Sequence, residues 1–143
     1  MPSATENAEI FDQWKTTLSR ASAGDHIHIV RHGASPSVFV AASEHFGISR
    51  AIFARFVGIS PATVERKIKS GGLLGQPETE RLSRIAMIEL EAESVFGSSD
   101  KARTWLTQKH TVLGDTPLSM LDTETGACEV RKILSAIAYG GVI

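Results

Sequence analysis

The chain has 143 residues, of which 42% are hydrophobic and 22% charged, and its formal net charge is −1. This is the composition of a globular protein and excludes intrinsic disorder. No apolar run approaches the ~20 residues of a membrane span, and the first residues lack the basic and apolar regions of a signal peptide. The single cysteine, Cys128, excludes an internal disulfide and precedes an apolar helix face, where a buried, inert thiol is expected. We therefore expect a cytoplasmic protein with no membrane partner.

Residues 1–35 are expected to form an N-terminal helical extension. One stripe of a helix over residues 5–20 carries Ile10, Phe11, Trp14 and Leu18. Residues 25–33 are ambiguous, because isoleucine alternates with histidine as in a short strand while a helical turn fits the same residues. A helix then begins at Ser35-Pro36 and ends at Gly47, with Val38, Phe39, Ala42 and Phe46 facing inward.

Residues 49–70 (SRAIFARFVGISPATVERKIKS) have the pattern of two short helices joined by a tight turn. A serine precedes each helix, proline follows the second serine, and Gly58 stands where the first helix has to end. Ala54, Gly58 and Val64 have the spacing of a helix-turn-helix, whose second helix enters the DNA major groove. A purely structural hairpin stays open as the alternative. The apolar face of the first helix is expected to comprise Ile52, Phe53, Phe56 and Val57.

The charge distribution favours DNA binding by this hairpin. From Arg50 to Arg84 there are seven basic and three acidic residues, a local charge of +4, and the segments on either side are negative. The start of the second helix is expected to reach base edges, and the flanking cations to contact phosphates. A patch of this charge gives modest affinity, so a dimer is expected on operator DNA. The predicted DNA-binding residues are Arg50, Ser60, Ala62, Thr63, Arg66, Lys67 and Lys69.

The second half of the chain is also predicted to be helical. A long helix begins near Pro77 and ends at Gly97, a second runs from Ser98 through Leu106, and residues 107–115 form a loop. Thr116-Pro117 begins a single turn, and a last helix spans residues 124–139. The predicted fold class is therefore all-α, a helix-turn-helix core followed by a small helical domain. The expected divisions are residues 1–35, 36–76 and 77–143.

Two histidine patterns are candidate sites of chemistry. IHIVRHGAS, residues 27–35, resembles the strand-then-RHG signature of histidine phosphatases, in which His32 would be the nucleophile and Arg31 would hold the phosphoryl group. The rest of the chain is helical and lacks the parallel sheet of such enzymes, so a loop is favoured. His26, His28 and His32 have no supporting acid or cysteine, which favours solvated histidines over a metal site. We expect no enzyme activity, no metal and no cofactor.

The run LGDTPLSMLDTETG begins at Leu113, downstream of Phe96-Gly97 and Trp105-Leu106. On these motifs, residues 78–143 resemble the toxin-binding domain of Xre/MbcA/ParS-type antitoxins. The helix-turn-helix agrees with the Xre half of that family, so only residues 1–35 fall outside the resemblance. The shared features are Phe96-Gly97, Ala102, Trp105-Leu106, Leu113-Gly114, Thr116-Pro117-Leu118, Leu121-Asp122-Thr123, Gly126, Glu129-Val130, Leu134, Ile137 and Gly140.

The resemblance implies an antitoxin of a type II toxin–antitoxin system. Its partner would be a RES-domain toxin that degrades NAD, and the antitoxin would block that active site and repress its own operon. The motif residues are mostly expected to be scaffold. One alternative is a stand-alone transcription regulator whose C-terminal domain only dimerises, and another is an interaction module that no longer binds DNA. The expected toxin contacts are Gln108, Lys109, His110, Asp115, Arg131, Lys132, and Tyr139 to Ile143.

Overall fold

The structure is a computed structural model that describes residues 3–140. These residues form eight α-helices and one 3-10 helix, with no β-strand among them, which confirms the predicted all-α class. No helix in residues 3–140 has both the length and the apolar character needed to cross a membrane. The elements are α1 (Ala4–Arg20), α2 (Ala23–His32), α3 (Pro36–Phe46), α4 (Arg50–Val57), α5 (Pro61–Ser70), α6 (Gln76–Phe96), α7 (Ser99–Thr107), the 3-10 turn (Leu118–Asp122) and α8 (Glu124–Ala138).

Side-chain hydroxyls fix the starts of most of these helices. Ser35, Ser49 and Ser60 each accept a hydrogen bond from a backbone N–H in the first turn of α3, α4 and α5. Ser98 and Thr123 do the same for α7 and α8. Each cap satisfies a donor that the helix itself leaves without a partner. These helix starts agree with the sequence prediction, because a cap is a local signal.

The ambiguous residues 25–33 lie mainly in helix α2, so the strand interpretation is wrong. The Ser22 hydroxyl accepts from the Asp25 backbone N–H at 3.1 Å, and Gly33 ends the helix with a φ of 96°. The helix buries only Val30 and leaves Ile27 48% exposed. The alternation of isoleucine and histidine therefore does not mark a half-buried strand.

The chain packs as two compact units, Met1–Ser83 and Arg84–Ile143, with the boundary inside α6. The domain division predicted at residue 77 stays a prediction. Unit 1 has an aromatic core in which α1 packs against α3. Phe39 and Phe53 are fully buried with ring centroids 5.2 Å apart, and Phe11 lies 5.9 Å from Phe46. This core positions the α4–α5 hairpin.

Unit 2 is built around the contact between the 3-10 turn and α8. Leu118 and Leu121 of the turn and Val130 of α8 are fully buried. Gly126 allows the two elements to approach, because a Cβ there would lie 1.9 Å from the Met120 carbonyl oxygen. Gly126 is therefore a scaffold residue, as expected for most residues of the motif.

Two burial predictions are wrong. Ile52 is 47% exposed, because the buried face of α4 consists of Phe53, Ala54 and Val57. Cys128 is exposed, since the inward residues of α8 are 126, 127, 130, 133 and 134, which puts position 128 on the opposite side of the helix.

Candidate functional site

Helices α4 and α5 form the hairpin that the sequence predicts. Gly58 has a φ of 78°, and its N–H donates to the Ala54 carbonyl at 2.8 Å. Ala54 and Val64 are fully buried. Because the Ala54 side chain is small, the two helices can approach closely. Arg81 of α6 donates to the Val57 carbonyl at 3.4 Å and so caps the end of α4. The turn is therefore held from both its own backbone and a neighbouring helix.

The outer face of α5 carries Ala62, Glu65, Arg66 and Lys69, referred to below as the recognition face. Their i, i+3, i+4, i+7 spacing places them on one side of the helix, away from the buried Val64. Ala62, Arg66 and Lys69 are exposed, and Glu65 is half-buried. Arg66 and Lys69 make no side-chain hydrogen bond or ion pair with any residue between 3 and 140. Both cations are open to solvent and to a ligand.

The remaining predicted DNA contacts already have partners in the fold. The Ser60 hydroxyl accepts from the Thr63 N–H at 3.1 Å and donates to the Thr63 hydroxyl at 2.7 Å. Lys67 Nζ donates to the Leu73 carbonyl at 2.7 Å. Arg50 Nη1 lies 3.3 Å from each carboxylate oxygen of Glu65. These side chains stabilise the hairpin and the segment that follows α5, and their contact with DNA stays a prediction.

The local charge counted from the sequence overstates the cations available on unit 1. Arg84 belongs to unit 2, where its Nε lies 3.2 Å from Glu124 and its Nη1 donates to the Leu121 carbonyl at 3.0 Å. Within the described part of the window from 50 to 84, the basic residues that are exposed and have no partner are Arg55, Arg66 and Lys69.

In unit 2, residues 108–116 form a tight loop between α7 and the 3-10 turn, referred to below as the tip loop. The His110 N–H donates to the Asp115 carbonyl at 3.2 Å, and the Gly114 N–H donates to the His110 carbonyl at 2.8 Å. His110 Nε2 lies 2.9 Å from the Trp105 carbonyl oxygen, and the two rings are 5.2 Å apart. The loop is thus fixed by backbone hydrogen bonds and by one anchored histidine.

The tip loop presents both a cation and an apolar side chain to solvent. Lys109 is exposed and has no partner in the described part of the chain, and Gln108 beside it is also exposed. Val112 is 67% exposed. Asp115 is exposed as well, although one of its carboxylate oxygens accepts from the Thr116 N–H at 2.7 Å. The sequence prediction missed Val112, because a single valine in a polar loop carries no periodic signal.

The other predicted contacts of this unit lie on α8 or just beyond it. Arg131 pairs with Glu91 and Glu124, each at 3.5 Å, and Lys132 pairs with Glu129 at 3.1 Å. Tyr139 is 92% exposed. Ile143 lies outside the described residues. The tip loop therefore brings together Gln108, Lys109, His110 and Asp115, whereas the α8 cations are engaged with carboxylates.

The histidine patterns near residue 30 find no support as sites of chemistry. Arg31 and His32 end a helix, so the strand that precedes the phosphatase signature is missing here. His26 and His28 are two residues apart on α2 and do not face each other. From residue 3 to residue 140, no group of three or more metal-ligating side chains is arranged to hold an ion.

Comparison with known proteins gives matches to both parts of the chain. Residues 25–87 match the antitoxin Xre-like helix-turn-helix domain, and residues 91–140 match the antitoxin Xre/MbcA/ParS C-terminal toxin-binding domain. A protein of Photorhabdus laumondii named antitoxin Xre is 28% identical over 130 residues, which are 89% of this chain and 88% of that protein. An antitoxin Xre of Pseudomonas putida is 39% identical over 79 residues, 54% of this chain and 50% of that protein. An antitoxin Xre of Yersinia enterocolitica is 33% identical over 95 residues, 65% of this chain and 64% of that protein.

Proposed function

We propose that this chain, which belongs to the family of Xre-type antitoxins, binds a RES-domain toxin and blocks the active site at which that toxin degrades NAD. It would also repress its own operon through the helix-turn-helix. The family rests on the two domain matches, which between them span residues 25–87 and 91–140. The chain is thus the antitoxin of a toxin–antitoxin system, with a helix-turn-helix and a toxin-binding domain. Its regulatory role needs no enzyme activity or cofactor, and we place it in the cytoplasm, where its DNA would be.

The tip loop is the observation that supports toxin inhibition most directly. It lies within the residues that match the toxin-binding domain. Because its backbone is already ordered by the His110 and Gly114 hydrogen bonds, little conformational entropy is lost when it docks. Lys109 offers an ammonium group to a pocket shaped for the phosphates of a dinucleotide, and Val112 offers apolar area beside it.

We therefore assign Lys109 and Val112 to the centre of the toxin contact. Gln108, His110 and Asp115 belong to the same loop and would form its edge. The predicted contacts Arg131, Lys132 and Tyr139 would lie further out, where the two α8 cations are already paired with carboxylates. Contact by Ile143 stays a prediction. Exposed ion pairs at the rim of an interface contribute little affinity.

Cellular NAD tests the toxin half of the proposal. The reading frame adjacent to this gene is expressed alone, with the wild-type chain, and with the Lys109→Ala or Lys101→Ala variants. Lys101 is the matched control, because it is also exposed and unpaired in the described part of unit 2 but lies on α7. We expect NAD to collapse with the toxin alone, to be preserved by the wild type and Lys101→Ala, and to fall again with Lys109→Ala.

The outcomes separate the parts of the proposal. NAD that never falls would rule out a NAD-degrading partner and leave the stand-alone regulator, whose C-terminal domain only dimerises. Full protection by Lys109→Ala would show that this side chain is not the inhibitory contact, while inhibition itself would stand.

The recognition face supports the DNA half of the proposal. The hairpin has three open cations, Arg66 and Lys69 on this face and Arg55 on α4. Because affinity for DNA rises with the number of phosphates neutralised, one copy with so few cations would bind weakly. We propose that two copies bind operator half-sites together, as helix-turn-helix dimers do.

A further inference from the structure

We infer that Glu65 reads a cytosine in the operator and sets sequence specificity, and that Arg50 is the positioning residue that holds its carboxylate. The inference rests on the proposed binding of DNA by the helix-turn-helix. Glu65 is acidic and so does not belong to the cations expected to contact DNA.

Glu65 lies within the recognition face, one turn from Ala62 and from Lys69. Its side chain is 45% exposed, so the carboxylate is accessible from solvent. A ligand that docks on Arg66 and Lys69 therefore meets Glu65 as well.

Arg50 fixes where that carboxylate stands. One guanidinium nitrogen, Nη1, lies 3.3 Å from both Glu65 oxygens, and the Arg50 side chain is 30% exposed. The contact joins the first residue of α4 to the middle of α5. A partly exposed ion pair of this kind contributes little to stability, so stability gives only a weak reason for it.

The Arg50–Glu65 pair has a larger electrostatic effect when α5 faces DNA. An unpaired carboxylate on this face would be repelled by the phosphates, and the Arg50 charge offsets that repulsion. A carboxylate has about four lone-pair sites, so one Nη1 contact leaves acceptor capacity free. Glu65 is then a fixed acceptor on a face that is otherwise cationic.

Base chemistry selects the partner of such an acceptor. In the major groove, cytosine presents the N4 amino donor and no adjacent acceptor on the same base, and carboxylates accept from it. Adenine presents its N6 amino donor beside the N7 acceptor, which repels a carboxylate but suits the amide of glutamine. Glutamate at this position therefore favours cytosine, and glutamine favours adenine.

The test is selection of bound sequences from a random DNA library by the full-length chain. Wild-type protein should enrich a motif with one strongly preferred cytosine in each half-site. Glu65→Gln should change that position to adenine and leave the other positions unchanged, with a loss of roughly 5- to 150-fold for the wild-type site. Arg50→Met should weaken the preference at that position alone, and Arg50→Lys should largely keep it.

Glu80→Gln is the charge control, because Glu80 is an exposed, unpaired acid in the described part of unit 1. Loss of the negative charge at either position favours binding to all sequences alike, so only a change of preferred base, and not a change of overall affinity, identifies a reading role. If Glu65→Gln and Arg50→Met both enrich the wild-type motif, the inference is wrong although DNA binding stands. If the wild-type chain enriches no motif while it still protects NAD against the toxin, both the DNA half of the proposed function and this inference fail.

Discussion

The two units of the chain use their basic residues in opposite ways. On the recognition face of unit 1, Arg66 and Lys69 are open and the acid Glu65 is paired. In unit 2, Arg84 and Arg131 pair with carboxylates, as do Arg103 and Lys132, while Lys101 and Lys109 have no partner in the described part. A surface that binds a polyanion needs several open cations, whereas the proposed toxin contact relies on one, Lys109, and leaves the paired cations at its rim.

The difference shows that the number of charges in a segment is a poor measure of the charge it offers to a partner. Arg81 and Arg84 count toward the basic window in the sequence, yet one caps α4 and the other binds Leu121 and Glu124 in unit 2. What distinguishes a binding cation is the lack of an internal partner, which only the folded chain shows.

The largest expected effect comes from breaking the close packing in unit 2. Gly126→Ala would place a Cβ 1.9 Å from the Met120 carbonyl oxygen, a backbone atom that cannot move aside cheaply. We expect the free energy of unfolding to fall by about 2–3 kcal/mol. Thermal unfolding by circular dichroism measures it, and Trp105 fluorescence in a Trp14→Phe background assigns the transition to unit 2.

Gly24→Ala is the matched control, since Gly24 also lies in a helix but its Cβ would meet only the Ser22 hydroxyl, at 3.9 Å. The same substitution should stabilise there by about 0.5 kcal/mol, because alanine restricts the unfolded chain more than glycine does. Equal effects at the two positions would contradict the close approach of α8 and the 3-10 turn.

The sequence predicted the regular parts of both units well. Helix starts at Ser35, Ser49, Ser60, Ser98 and Thr123 were predictable, because each cap lies next to the donor that it satisfies. The all-α class and the helix-turn-helix follow from the same local signals and from periodicity.

The features that the sequence did not predict depend on contacts between distant residues or on which face of a helix is buried. The Arg50–Glu65 pair joins residues fifteen apart, and the Arg84–Glu124 pair joins residues forty apart, so neither has a local signal. Cys128 is a different kind of error: its exposure follows from the helical period of α8, which a residue-by-residue count of the face would have shown. In the candidate site, the four loop residues could be named from the resemblance, but the exposure of Val112 could not.

A middle-sized effect tests whether the open cations of unit 1 bind DNA. Arg66→Ala should weaken operator binding by ~1–3 kcal/mol, because the side chain is exposed, unpaired in the described part and central to the recognition face. Gel-shift titration on the DNA upstream of the gene measures the dissociation constant. Arg20→Ala, which removes an exposed cation at the end of α1, should change it by much less. An unchanged dissociation constant for Arg66→Ala would contradict the proposed docking.

The smallest effect separates an open cation from an engaged one on the same helix. Lys69 is exposed with no partner among residues 3–140, whereas Lys67 Nζ is bound to the Leu73 carbonyl at 2.7 Å. If Lys69 contacts a phosphate, Lys69→Ala should lower the slope of log affinity against log salt by about 1. Lys67→Ala should leave that slope unchanged and instead loosen the segment that follows α5. Titrations at three or more salt concentrations give both slopes, and a drop of about 1 for Lys67→Ala as well would mean that an internal hydrogen bond does not withdraw a cation from DNA binding.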